Sequence, residues 1–378
     1  MWLFLSIINI FLAHFAEKNY KGNKRKCKLF LFLIVVVNAI IIGLRDIGVG
    51  IDTLIYIEYY FQQANDIHNI KSFFSNDNSN LEKGFLFLAW ISTLLGDDPR
   101  MLLFVTELFI ISFCCAGIYE YKKKINFNIT YFVLLFILIL QHETINMMRQ
   151  FCAMSLLFYG YSLFLQKKIT GYLICQIIAY FFHTSSFVFL LLPFLYIILR
   201  TRGIVKYICT FAILILFGFF AFQYYNILQY IQALGVLKES YTESYGGTDM
   251  GYKTILSPHF LMRFLVYIIE MVICYILYVK KWVSNTFMHL VFILCNIKLL
   301  ITFSTLNVMF FDRIGFYYSL VLMILFSTIA NIKKTKLQIL CFAYAFAYML
   351  IILRLYYVNS IENNCFNLTY TSKFLGIN

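Results

Sequence analysis

Charge is scarce in this chain. Of its 378 residues, 13% are Asp, Glu, Lys or Arg and 62% are hydrophobic. Soluble globular proteins hold about 45–50% apolar residues, so this composition excludes a soluble fold. Three prolines and a mean hydropathy of +0.79 fit the same picture. Alternating polarity is also missing, which excludes the strands of a membrane barrel. The ten cysteines contain no CxxC pair and no metal-ligand spacing. Eight lie within apolar segments, with Cys27 and Cys365 outside, and they read as small core hydrophobes. The first segment, Met1–Ala16, lacks a basic leader and an A-x-A site, so it reads as a retained span. No internal repeat is visible.

What is present is a long series of apolar stretches. With lipid as solvent, helices satisfy every backbone group internally. The expected fold is an all-α polytopic integral membrane protein, a single membrane domain over 1–378. The net charge is +13, yet the basic residues form short clusters between apolar stretches, which argues against a nucleic-acid partner. The clusters are Lys18–Lys28, Lys122–Lys124, Lys167–Lys168, Arg200–Lys206, Lys280–Lys281 and Lys333–Lys336. They hold 19 of the 31 Lys and Arg. The positive-inside rule places all six in the cytoplasm.

Spans then fall near 1–16, 29–44, 101–119, 129–141, 150–166, 170–182, 186–199, 207–223, 260–279, 286–303, 314–330 and 338–357. Both termini lie outside. Residues 84–96 break the alternation, because a helix there covers only about 20 Å. A re-entrant or interfacial helix restores the parity; thirteen spans with one misplaced cluster is the other solution. Residues 170–199 read as a hairpin with "HTSS" at its tip, or as one long tilted helix. The outer loops are 45–83, 142–149, 224–259 and 304–313, with a tail at 358–378.

This orientation gathers chemistry on one face. Arg45, Asp46, Asp52, Glu82, Glu143, Arg149, His183, Asp312 and Arg313 all fall at outer ends of spans. The inner clusters hold 16 Lys and 3 Arg, whereas the other basic residues are 6 Lys and 6 Arg. Lysine suffices for orientation, while arginine suits planar contacts to phosphate or carboxylate. Ionisable groups at the hydrocarbon boundary are expensive and suggest a site. Several arginines together would hold a polyanion such as a lipid pyrophosphate. Each arginine alone also fits a snorkelling side chain, and the acids also fit plain counter-ions. Asp52 and Thr53 can cap a short helix through "LIYIEYYF". Tyr56, Tyr59 and Tyr60 suit sugar stacking or interfacial anchoring. His183 is a candidate base or a structural histidine.

Five blocks then carry a resemblance. They are R-x₃-VG-x-DT-x₂-Y (Arg45 to Tyr56), "EKGF" at 82–85, "NMMRQFCAMSL" (Asn146, Arg149, Gln150, Ala153), "FFHTSS" (His183, Ser185) and "DRIGFYY" (Asp312, Arg313, Tyr317). In this order, over 45–318, they resemble the EpsG-like group of Wzy-type polysaccharide polymerases. Ile51 departs from the small or polar residue commoner there, and "NLTYTSKF" keeps Tyr370 without the expected proline. The resemblance implies a GT-C-like membrane architecture in a bacterial inner membrane, with the site facing the periplasm. It implies joining of repeat units carried on undecaprenyl diphosphate, the carrier diphosphate being the leaving group. His183 is then the expected base, with Asp52 or Glu82 second. Arg149, Arg313 and Arg45 would hold the diphosphate. Gln150, Asn146, Tyr56, Glu143, Asp312 and Tyr370 would complete the substrate contacts. No cofactor and no metal are expected. Membrane lipid and a chain-length regulator are the expected partners. A lipid-linked oligosaccharide flippase and an O-antigen ligase are the competing readings; a flippase would place charge deep in its helices, where only Glu107, Glu270 and Lys298 qualify.

Overall fold

Asn23 marks the first reversal of the chain. Its side-chain oxygen accepts from the Lys26 N–H at 3.0 Å, which caps a new helix. Helix α1, Trp2–Tyr20, therefore turns back into α2, Lys24–Gly43. The structure is a computed structural model describing residues 1–50, 53–67, 72, 82–200, 204–223, 230, 258–279, 310–331, 336, 338–347, 349–351, 370–372 and 376–377. Two further helices follow α2: α3, Glu58–Asn65, entered through a π-helical turn at Thr53–Ile57, and α4, Lys83–Thr93. Then come α5, Arg100–Lys122; α6, Ile129–Ile139; α7, Gln141–Asn146; α8, Met148–Leu165; and α9, Ile169–Phe182. A 3₁₀ segment at Thr184–Leu190 leads to α10, Leu191–Leu199, then α11, Val205–Phe222; α12, Pro258–Val279; and α13, Phe310–Thr328. Among the described residues there is no strand; Ser372 and Ile377 form an isolated bridge.

The chain divides into two compact units. One comprises Met1–Phe187, Phe326–Lys333 and Met349–Asn378; the other comprises Val188–Leu325 and Lys334–Tyr348. In the first, α2 packs on both α1 and α5, α5 on α8, and α8 on α9. The short α4 packs against α3, α5 and α9. In the second, the Tyr318 hydroxyl donates to the Val188 carbonyl at 3.1 Å, and Tyr344 donates to the buried carboxylate of Glu270.

The helices are apolar on the outside. Leu3, Phe4, Ile7 and Phe11 of α1 are exposed, while Asn9 is buried at 3%. The Asn9 and Asn38 amides exchange hydrogen bonds of 3.1 and 2.8 Å between α1 and α2. Such polar pairing holds helices together where hydrocarbon gives no hydrophobic drive. Exposed apolar stripes recur on α9 and α11. Helices α2 and α5 are each long and apolar enough to cross a membrane.

Several expectations shift. Cys27 lies inside α2 and is buried, because that helix starts at Lys24 rather than near 29. The 142–149 segment is helix rather than loop, broken only at Met147 (φ −132°, ψ 48°). The 170–199 segment is not one long helix. His183 is extended (φ −159°, ψ 121°), and the chain folds back so that the Gln176 amide donates to the Ser186 carbonyl at 3.1 Å. Lys122 is buried and pairs with Glu17 at 2.7 Å, so it is more than a topology signal. Helix α4 has 11 residues, about 16 Å, which is shorter than a hydrocarbon core of about 30 Å. The expected span 286–303, with Lys298, lies outside the described residues. So do Asp52 and nearly all of the 224–259 loop.

Candidate functional site

Just past the Leu44 cap of α2, Arg45 turns inward rather than outward. The residue is 1% exposed. Nη1 donates to the Ile42 carbonyl at 2.6 Å, Nε to the Val49 carbonyl at 3.2 Å and Nη2 to Thr53 Oγ1 at 3.3 Å. Nη2 also faces Met148 Sδ at 3.6 Å, at the start of α8. Burial pushes its pKa down to about 10, and buried Glu107 opposes that fall. Arg45 thus stays charged at neutral pH and ties Ile42, Val49 and Thr53 together. These bonds give Arg45 a positioning role within the chain. Gly50 closes the 45–53 loop at φ +109°, where a Cβ would lie 2.5 Å from Ile145 Cγ2.

The folded loop delivers two tyrosines. Tyr56 sits in the π-helical turn and Tyr60 in α3. Arg149 lies in the first turn of α8, just past the break at Met147. Its guanidinium stacks 3.9 Å from the Tyr56 ring and lies 6.0 Å from the Tyr60 ring. Both rings therefore face one cation. The helix N-terminus adds positive potential there. Burial pushes the Tyr60 phenol up, so it remains a neutral hydroxyl. Tyr59 points elsewhere and is 49% exposed.

Glu82 joins the cluster from α4. It stands just before the helix, with extended backbone, and its side chain makes no capping bond. Its N–H donates to the Tyr60 hydroxyl at 3.2 Å. Its carboxylate lies 3.1 Å from Arg149 Nη1 and 4.0 Å from His183 Nδ1. Gly84 permits this approach: a Cβ there would lie 2.9 Å from the Phe181 and Phe182 backbone. Gly84→Val should therefore push α4 away from α9 and part Glu82 from His183. Disulfide crosslinking between a cysteine pair introduced at positions 82 and 183 should then be lost; undiminished crosslinking would show that Gly84 is not needed for the apposition.

His183 follows the end of α9. The Ser185 N–H donates to its Nδ1 at 3.3 Å, and Ser185 Oγ lies 2.9 Å away. An Nδ1 that accepts assigns the neutral ring's proton to Nε2. Glu82, Arg149 and His183 are each partly buried, with side chains 13–21% exposed. They form a chain of acid, cation and imidazole that remains reachable.

The other expected residues divide. Gln150 is buried beside Arg149 in α8. The Asn146 amide donates to the His142 carbonyl at 3.0 Å, ending α7. Glu143 lies 3.5 Å from His142 Nε2. Tyr370 is a structural anchor: its hydroxyl donates to the Ile41 carbonyl at 2.5 Å and its ring stands edge-on to Trp2. Asp312 and Arg313 begin α13, and their side chains lie outside the described residues. Missed by the sequence reading were His142 and Met148. Among the described residues no group of three or more His, Cys, Asp or Glu could hold a metal.

These features define a helical membrane protein with an ionisable, aromatic-lined cluster at one end of a helix bundle. The EpsG family model matches residues 2–372, and the chain belongs to the EpsG family. It is thus a membrane protein of polysaccharide biosynthesis. No curated protein matches the chain. No solved structure matches it.

Proposed function

We propose that this protein is a polysaccharide repeat-unit polymerase. The observation that carries the reading is the Glu82–Arg149–His183 cluster, faced by Tyr56 and Tyr60. It brings together an anion-binding guanidinium, a candidate base and two aromatic faces. A glycosyl transfer that expels a lipid diphosphate needs all three. The chain would sit in a bacterial inner membrane, with about twelve spans and a GT-C-like arrangement. The cluster would face the periplasm, opposite the lysine-rich turns.

In this mechanism the acceptor sugar hydroxyl attacks the anomeric carbon of the donor chain. The new C–O bond forms as the bond to the diphosphate oxygen breaks, and that oxygen keeps the electron pair. Arg149 stabilises the charge building there, with Arg313 as its proposed partner. The hydroxyl proton passes to the His183 imidazole, next to the Glu82 carboxylate. Glu82 is already charge-paired with Arg149, so it holds the imidazolium rather than taking the proton itself. Asp52 is kept as the second carboxylate candidate. Undecaprenyl diphosphate-linked glycans are the proposed donor and acceptor, and a chain-length regulator is the proposed protein partner.

A flippase would need open, deep charge. Glu107 is buried at 2% within α5, and Glu270 is bonded by Tyr344, which fits sealed groups better than a transport path. The test is a surface-glycan gel from a deletion strain and its complemented parent. A polymerase mutant retains single-repeat product and loses the long ladder. Loss of every repeat-bearing band would refute the assignment.

A further inference from the structure

At the opposite, lysine-rich end of the first unit lies a second concavity. It is a groove of about 440 Å³ formed by α2, α5 and Tyr159 of α8. Ligand pockets commonly hold roughly 300–1,000 Å³. Leu31 and Val35 of α2 and Ala116 of α5 make its depth apolar. Phe32, on its rim, is 60% exposed, so the groove opens outward.

Its mouth is cationic. Lys28 and Lys123 each hold their ammonium 5.0 Å from the centre of the Tyr119 ring. One comes from the first turns of α2 and the other caps α5. Glu120 supplies the counter-charge, bonded by Lys123 and by the Gln166 amide at 2.7 Å. Lys28 makes no ion pair among the described residues and is exposed. Two ammoniums about one aromatic ring thus carry one carboxylate between them.

We infer that this groove binds an anionic glycerophospholipid, with its phosphate between Lys28 and Lys123 and one acyl chain along Leu31, Val35 and Ala116. Charge and depth argue together. A free anion would have no use for the apolar floor, and a neutral lipid would have none for the second lysine. Basic pockets between helices on the lysine-rich side of membrane proteins are suited to such headgroups. The inference does not depend on the polymerase reading.

The full chain, purified in detergent, should be titrated with phosphatidylglycerol and with phosphatidylcholine, bound lipid being read by native mass spectrometry. Phosphatidylglycerol should bind at least tenfold more tightly. The double variant K28Q/K123Q should lose that preference. A control with the same charge change, K18Q/K26Q, should keep it. Ala116→Phe fills the groove while leaving both lysines, and should lower binding to a similar degree. Equal loss in the control would reduce the effect to diffuse surface charge and overturn the site. Displacement of the lipid by an equal concentration of inorganic phosphate would overturn the lipid assignment, as would unchanged binding in Ala116→Phe.

Discussion

Arg149→Ala, at wild-type membrane abundance, will shorten the surface-glycan ladder to single repeats and slow polymerisation by about 10²–10³-fold. That is the usual effect of removing one donor aimed at developing negative charge. The geometry makes this the most sensitive position described. The guanidinium stacks on Tyr56 at 3.9 Å and reaches Glu82 at 3.1 Å. It also lies at the N-terminal end of an 18-residue helix, where the backbone favours an anion. Lysine keeps the charge but loses the planar stack and the fork. Arg149→Lys should therefore recover only part of the rate. Single-turnover assays with a purified lipid-linked repeat unit would read this directly. Wild-type polymer length in Arg149→Ala would remove Arg149 from the mechanism.

Glu82→Gln should be nearly as severe, with a rate loss of about 10²–10⁴-fold, the range of a positioned acid–base system. The substitution keeps the side chain's size, so the backbone bond to Tyr60 at 3.2 Å survives. What it removes is the negative charge between Arg149 and His183. Arg149 is then freed from its carboxylate while the imidazolium loses its partner. Donor binding should hold or tighten while the chemical step collapses, so KM stays level or falls as kcat drops. A rise in KM with unchanged kcat would show that Glu82 only binds sugar. That split separates its role from that of Arg149, whose loss should weaken diphosphate binding as well.

The blocks that build the cluster were legible because they break an economy of the membrane. "EKGF", "NMMRQ" and "FFHTSS" each put an ionisable side chain at the end of an apolar run, where it is expensive. The structure brings Glu82, Arg149 and His183 together from three separate stretches of chain. Their mutual distances could not be read, since nothing local encodes a tertiary approach. Gly84 carried that information, but a glycine in a short helix reads first as a weak helix former. At Arg45 the sequence shows a charge at a boundary and does not show which way it turns. The break at Met147 was missed because two methionines carry no turn signal. The Tyr370 block was recognised, but nothing local in it shows that its hydroxyl donates to the Ile41 carbonyl.

The end of α2 also sets an order of events in biosynthesis. A helix leaves its last carbonyls without partners, and here part of the remedy comes from far along the chain. Tyr370 donates to the Ile41 carbonyl and Ser372 to the Leu44 carbonyl at 2.6 Å, while the Asp46 N–H donates to the Thr371 carbonyl at 2.9 Å. These partners lie 329 and 328 positions downstream for the first two bonds. The loop that aims Tyr56 at Arg149 thus receives its final clamp only after nearly every helix has been translated. A half-made chain in the translocon carries the chemistry-bearing residues of the cluster without this latch.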